Sequence, residues 1–118
     1  MATYSRIHLS GSTSGRPIKV GATATPGTAI HSAIAGAVAF DEIYLYVSNI
    51  SAAPVSLTLE WGGTTDPDDH LVKTLSIPAY SPPIPITSGQ QLNGGLLVKA
   101  FASSANALLI TGRVNRVQ

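Results

Sequence analysis

Between Phe40 and Gly63 the chain reads FDEIYLYVSNISAAPVSLTLEWGG, and no other stretch restricts its folding so tightly. Ile43, Leu45 and Val47 alternate with Tyr44, Tyr46 and Ser48; Val55, Leu57, Leu59 and Trp61 alternate with Ser56, Thr58 and Glu60. Successive side chains of a strand point to opposite sides of a sheet, so a period of two predicts strands with one aliphatic face each. Asn49, Ser51 and Pro54 favour a turn between them, which predicts a long β-hairpin over Asp41 to Gly63. Tyr44 and Tyr46, beside Thr58, then face away from the aliphatic side.

The remaining segments fit the same class. Thr3 to Leu9 alternates weakly and leads into SGSTSGRP, an edge strand or an arm over residues 1–17. Lys19 to Thr25 reads as a short strand before the turn at Pro26-Gly27. Gly27 to Phe40 supports two readings: a strand around Ala29 to Ala33 with a turn near Gly36, or a short helix with a stripe of Ile30, Ile34 and Val38. GGTTDPDDH reads as a loop, and Leu71 to Ile77 as a strand with Leu71, Leu75 and Ile77 on one face. The prolines between Pro78 and Pro85 require extended chain outside the middle of a sheet. Leu92 to Phe101 and Ala107 to Val117 form a second expected hairpin, around ASSAN.

One sheet face cannot shelter Ile43, Leu45, Leu57, Leu59 and Trp61, so a second layer is required. Packing them against Leu75, Ile77, Val98, Leu108 and Ile110 gives an all-β fold: a single-domain β-sandwich or jelly-roll-like barrel of about eight mostly antiparallel strands, spanning residues 18–118. At 118 residues the chain can bury such a core without cross-links. It contains no cysteine, which excludes disulfides, thiolate metal sites and cysteine nucleophiles.

Catalytic chemistry finds little to work with. Asp66, Asp68, Asp69 and His70 are the only local concentration of titratable groups, and carboxylates so spaced could direct oxygens at calcium. The alternating ligand series ending in a distant Glu is missing, and Pro67 restricts the loop, so a solvated Asp-Pro turn is the expectation. His8, His31 and His70 match no metal-binding spacing, no serine lies in GxSxG, and SGSTSG lacks the lysine of a phosphate loop. The chain is expected to be no enzyme and to hold no metal or cofactor.

Charged residues make up 11% of the chain, well below the ordinary share of about 25%. A low-charge surface of Ser, Thr, Ala and Gly gives little electrostatic steering and suits a surface covered by neighbours. The basic residues are scattered, with Arg113 and Arg116 on opposite faces of the last strand, so no phosphate-tracking stripe and no nucleic-acid partner are expected. No apolar run marks a signal peptide, and Ala29 to Phe40 is too short and too polar to span a membrane. A sugar site would need an exposed aromatic beside polar donors, for which Trp61 with Asp66, Asp68 and His70 is the local candidate. The candidate protein contacts are Tyr4, Arg6 and Ile7 in the first segment, and Tyr44, Tyr46, Phe101 and Arg113 on the strands.

The blocks GTAIHSA, DEIYLYVSNISAAPVSLTLEWGGTTDPDD and LLVKAFASSANALLITGRVNRV together resemble small virion structural proteins of tailed bacteriophages, over most of the chain from Gly27 onward. The resemblance implies a β-sandwich component repeated around a capsid or tail, made in the cytoplasm of the bacterial host and resident in the virion. The expected role is a capsid cement or decoration subunit, homo-oligomeric and bound to the major capsid protein or other virion proteins. A neck or tail component is the alternative.

Overall fold

The structure, a computed structural model, describes residues 3–118. The first two residues of the segment expected over 1–17 therefore lie outside the described residues. Ten strands form: β1 (Tyr4–Ile7), β2 (Ile18–Lys19), β3 (Thr28–Ser32), β4 (Phe40–Asn49), β5 (Val55–Trp61), β6 (His70–Ile77), β7 (Ile84–Pro85), β8 (Gln90–Leu92), β9 (Leu97–Ala102) and β10 (Leu108–Val117). Among the described residues there is no helix, so the strand alternative for Gly27 to Phe40 is the one realised. Strand β3 and a bend around Gly36 occupy it.

Sheet A runs β1-β10-β4-β7, with β2 also on β10 and β8 also on β4; sheet B runs β3-β9-β5-β6. Every pairing is antiparallel. β1 and β2 lie along successive parts of β10, as β7 and β8 do along β4, so each couple is one interrupted lane. The result is a β-sandwich with jelly-roll strand order and more strand segments than the eight expected.

Both expected hairpins are overturned by this order. β4 belongs to sheet A and β5 to sheet B; likewise β9 belongs to sheet B and β10 to sheet A. The connections at Ile50–Pro54 and Ser103–Ala107 are arches that carry the chain from one sheet to the other. Alternation persists because an arch, like a hairpin, leaves both apolar faces toward the same core. Thr58 consequently lies in the other sheet from Tyr44 and Tyr46, not beside them. The in-sheet hairpin is β5–β6, closed by the GGTTDPDD loop.

Asn49 fixes the first arch. Its side-chain amide donates to the carbonyls of Ala53 (2.9 Å) and Ile77 (3.1 Å), while Oδ1 accepts from the Ser51 peptide and hydroxyl, both at 2.8 Å. Ile43, Leu45, Val47, Leu57, Leu59, Val98, Leu108, Ile110 and Val114 form the core with no exposure. Leu9, Ile18 and Val20 join them, so the segment around the first two strands is part of the packed body.

Strand β6 departs from its expected phase. Leu57 faces Leu75 but Leu59 faces Val72 and Glu60 faces His70, so extra residues bulge from β6 at Lys73–Thr74 and at Leu71. Thr74 takes a left-handed φ of 49°, uncommon for a β-branched residue, and its peptide N–H donates to Thr58 Oγ1 at 3.1 Å. Val72 therefore packs on the core, while Leu71 and Leu75 are both exposed. In the β7–β8 lane, Thr87 bridges the interruption: its hydroxyl accepts from the Leu45 peptide (2.7 Å) and donates to the Ile43 carbonyl (2.9 Å).

Candidate assembly surface

The phase that sends Ile43, Leu45 and Val47 inward sends Glu42, Tyr44, Tyr46 and Ser48 outward from β4. The register extends this into rows: Tyr4 with Val117 and Phe40, Arg6 with Asn115 and Glu42, Arg113 with Tyr44, Thr111 with Tyr46 and Pro85, and Lys19 with Leu109 and Ser48. Of the contact candidates, Tyr4, Arg6, Tyr44, Tyr46 and Arg113 thus share one surface, the outer face of sheet A. Tyr4 is 76% exposed and Arg6 and Arg113 are exposed; the strand tyrosines are half-buried.

Two local packings hold Tyr44. The Arg113 guanidinium carbon lies 4.4 Å from its ring centroid, a cation–π contact. On the other side Gly89, with φ of 88°, passes so near the phenol that a Cβ there would lie 2.9 Å from its hydroxyl oxygen. Gly112 lets β10 approach β4: a Cβ at this position would run into the Tyr44 carbonyl oxygen. Arg6, Lys19 and Arg113 outnumber Glu42 on this face, so it is more cationic than the whole chain, whose formal charge is +1.

The outer face of sheet B is partly covered by the chain itself. Glu60 and Thr58 point outward, yet both are buried. Glu60 accepts from the Thr25 hydroxyl (2.6 Å) and the Gly27 peptide (2.7 Å), which fastens the Thr25–Gly27 segment across this sheet. Phe101 lies here, half-buried, with the His70 ring edge-on at 6.1 Å, separate from the other contact candidates. Ile7 also leaves the group: paired with Val114, it turns inward onto the core.

The ligand candidates are occupied with structure. Trp61 is half-buried and packs against the core. Asp66 binds Lys73 Nζ at 2.7 Å, and this hydrogen bond and charge hold its carboxyl below the ordinary value despite some desolvation. Asp69 Oδ2 accepts from the Thr65 peptide at 3.0 Å, closing the loop on itself, and Asp68 is exposed. The His70 side chain is buried, with its Nδ1 3.4 Å from Asp66 Oδ1. Among the described residues no group of three or more His, Cys, Asp and Glu side chains could hold a metal ion.

A buried polar cluster escaped the sequence reading. Asp41 of β4 and Arg116 of β10, both inward-facing, meet His31 of β3 across the sandwich. Arg116 donates from Nε to Asp41 Oδ1 (2.8 Å) and from Nη2 to Oδ2 (3.0 Å); the Ile34 peptide and His31 Nε2 also bind Oδ2, at 3.1 and 2.8 Å. The Ser10 peptide donates to His31 Nδ1 at 3.0 Å, which leaves Nε2 as the protonated nitrogen of the neutral ring. Burial alone would raise the Asp41 carboxyl, but Arg116 and then His31 outweigh it and hold it low; Arg116 is raised in return. The Ser10 hydroxyl accepts from the Ser32 peptide and is no nucleophile poised on His31. The cluster ties the two sheets together.

Among the described residues no helix is long and apolar enough to cross a membrane. No protein-family model matches the chain, and neither curated proteins nor solved structures yield a match.

Proposed function

We propose that the protein is a non-enzymatic assembly protein acting through the outer face of sheet A, and that its station is the virion, as a capsid cement or decoration subunit seated on the major capsid protein. The observation that carries the assembly reading is the contrast between the two outer faces. On sheet B, Thr25–Gly27 fastens over Glu60, whereas sheet A brings the exposed Tyr4, Arg6 and Arg113 and the half-buried Tyr44 and Tyr46 into one array. Aromatic and arginine side chains are the residue types that carry most interface energy. The excess of cations favours a partner surface bearing carboxylates, and binding that weakens as salt rises. The virion rests on the resemblance of the sequence blocks to tailed-phage structural proteins. A cement subunit would stabilise the shell by binding only its assembled form.

The test is reconstitution on particles lacking the protein. Wild-type protein should co-sediment with the shells and raise their disruption temperature. Arg113→Glu, which reverses the charge over Tyr44 at an exposed site, should lower the monomer's melting temperature by no more than the few degrees that one exposed cation–π contact supplies, and weaken shell binding by roughly tenfold or more. Density confined to a single vertex or to the tail would replace the decoration role with a neck or tail role; wild-type protein that binds no part of the particle would remove the virion reading.

A further inference from the structure

Exposed sheet edges invite pairing with other chains, and folded proteins blunt them with prolines, bulges or covering segments. Three edges of this sandwich are blunted. The β7–β8 lane carries Pro85 and breaks between Ile86 and Gly89, β6 is bulged, and β3 is bulged and bound by Ser10 and Gly11, whose hydroxyl and peptide contact the Ser32 peptide and Ile30 carbonyl. The β1–β2 lane is interrupted too, but β1 itself carries neither proline nor bulge: its sequence is YSRI and its register with β10 is unbroken.

The hydrogen-bond phase of β1 identifies what its free edge offers. Thr3 and Gln118 exchange peptide hydrogen bonds, so Thr3, Ser5 and Ile7 point their peptide groups at β10. The peptide groups of Tyr4 and Arg6 consequently point outward, and no described residue takes them. We propose that this edge pairs with β1 of a second copy of the chain, antiparallel about a two-fold axis at Ser5. That register sets Tyr4 against the partner's Arg6 and Arg6 against the partner's Tyr4, each couple exchanging both peptide hydrogen bonds. It also places the phenol beside the guanidinium on the outer face, a favourable cross-strand pair. Moving the axis to Arg6 would oppose the two Arg6 side chains, and an axis at Tyr4 would forgo the mixed pair. The inference does not depend on the virion reading, because the second copy is its own partner.

So short an edge buries less than the roughly 1,000 Å² of a stable interface, so pairing is concentration-dependent. Cysteine trapping reads it directly, since the chain has no cysteine of its own. Ser5 faces the partner's Ser5 as a non-hydrogen-bonded pair, where Cβ atoms of about 4.5–5.5 Å separation come within reach of a disulfide after slight adjustment. Under mild oxidation at high concentration, Ser5→Cys should give a reducible dimer at a yield several-fold above Arg6→Cys. Adding Arg6→Pro, which removes an outward N–H and no bond to β10, should suppress that dimer. Wild-type protein should show concentration-dependent dimerisation by sedimentation. Equal trapping at both positions, a Ser5→Cys protein that stays monomeric, or wild-type protein monomeric at every concentration would overturn the pairing.

Discussion

Asp41 is a carboxylate with no exposure that nevertheless keeps its charge, because Arg116 binds both oxygens and His31 and the Ile34 peptide complete the set. Removing one partner from such a group costs on the order of 3 kcal/mol, since the other is left buried and unpaired. Asp41→Asn is expected to lose about that much in a urea melt. The acid limb supplies an independent check. A carboxyl held below its ordinary value contributes stability that is present above the unfolded-state value and lost as pH falls through the folded one. The wild type should therefore lose this contribution below about pH 4, whereas the Asn variant should show a shallower decline across that window. His31, Asp41 and Arg116 could not be grouped from the sequence because Asp41 is 10 residues from His31 and 75 from Arg116, and only the sandwich brings them together.

Elements were legible as objects and illegible as neighbours. Ile43, Leu45 and Val47 on β4, and Leu108, Ile110 and Val114 on β10, face inward as their alternation implies, because period two fixes the side a residue faces. It does not fix the strand alongside, so Ile50–Pro54 and Ser103–Ala107 looked like hairpin turns when each is an arch between sheets. Strand β6 departs from its alternation at Leu71 for another reason: a bulge inserts residues without any mark in a sequence that still alternates. The same indifference applies to the contact candidates, of which Tyr44, Tyr46 and Arg113 follow from phase alone while the turning of Ile7 inward needed its pairing with Val114. Thr87 is the residue through which an interrupted lane still serves β4. Thr87→Val keeps the shape but leaves the buried Leu45 N–H without its acceptor, so a loss of about 1–3 kcal/mol is expected in thermal or denaturant unfolding. Faster amide exchange at Leu45 should accompany it.

At the scale of the molecule, the centre of sheet A is held by β10, which separates β1 and β2 from β4. Those strands touch one another through β10, not directly, and Arg116 on β10 also supplies the counterion of Asp41. β10 is also reached after every other strand in chain order. A chain ending before Leu108 should accordingly lack cooperative unfolding and be cleaved rapidly by protease, and a synthetic peptide of residues 108–118 added in trans should restore protection. Until β10 is in place, then, the inward faces of β1, β2 and β4 lack the strand that joins them, and the core cannot close over sheet A.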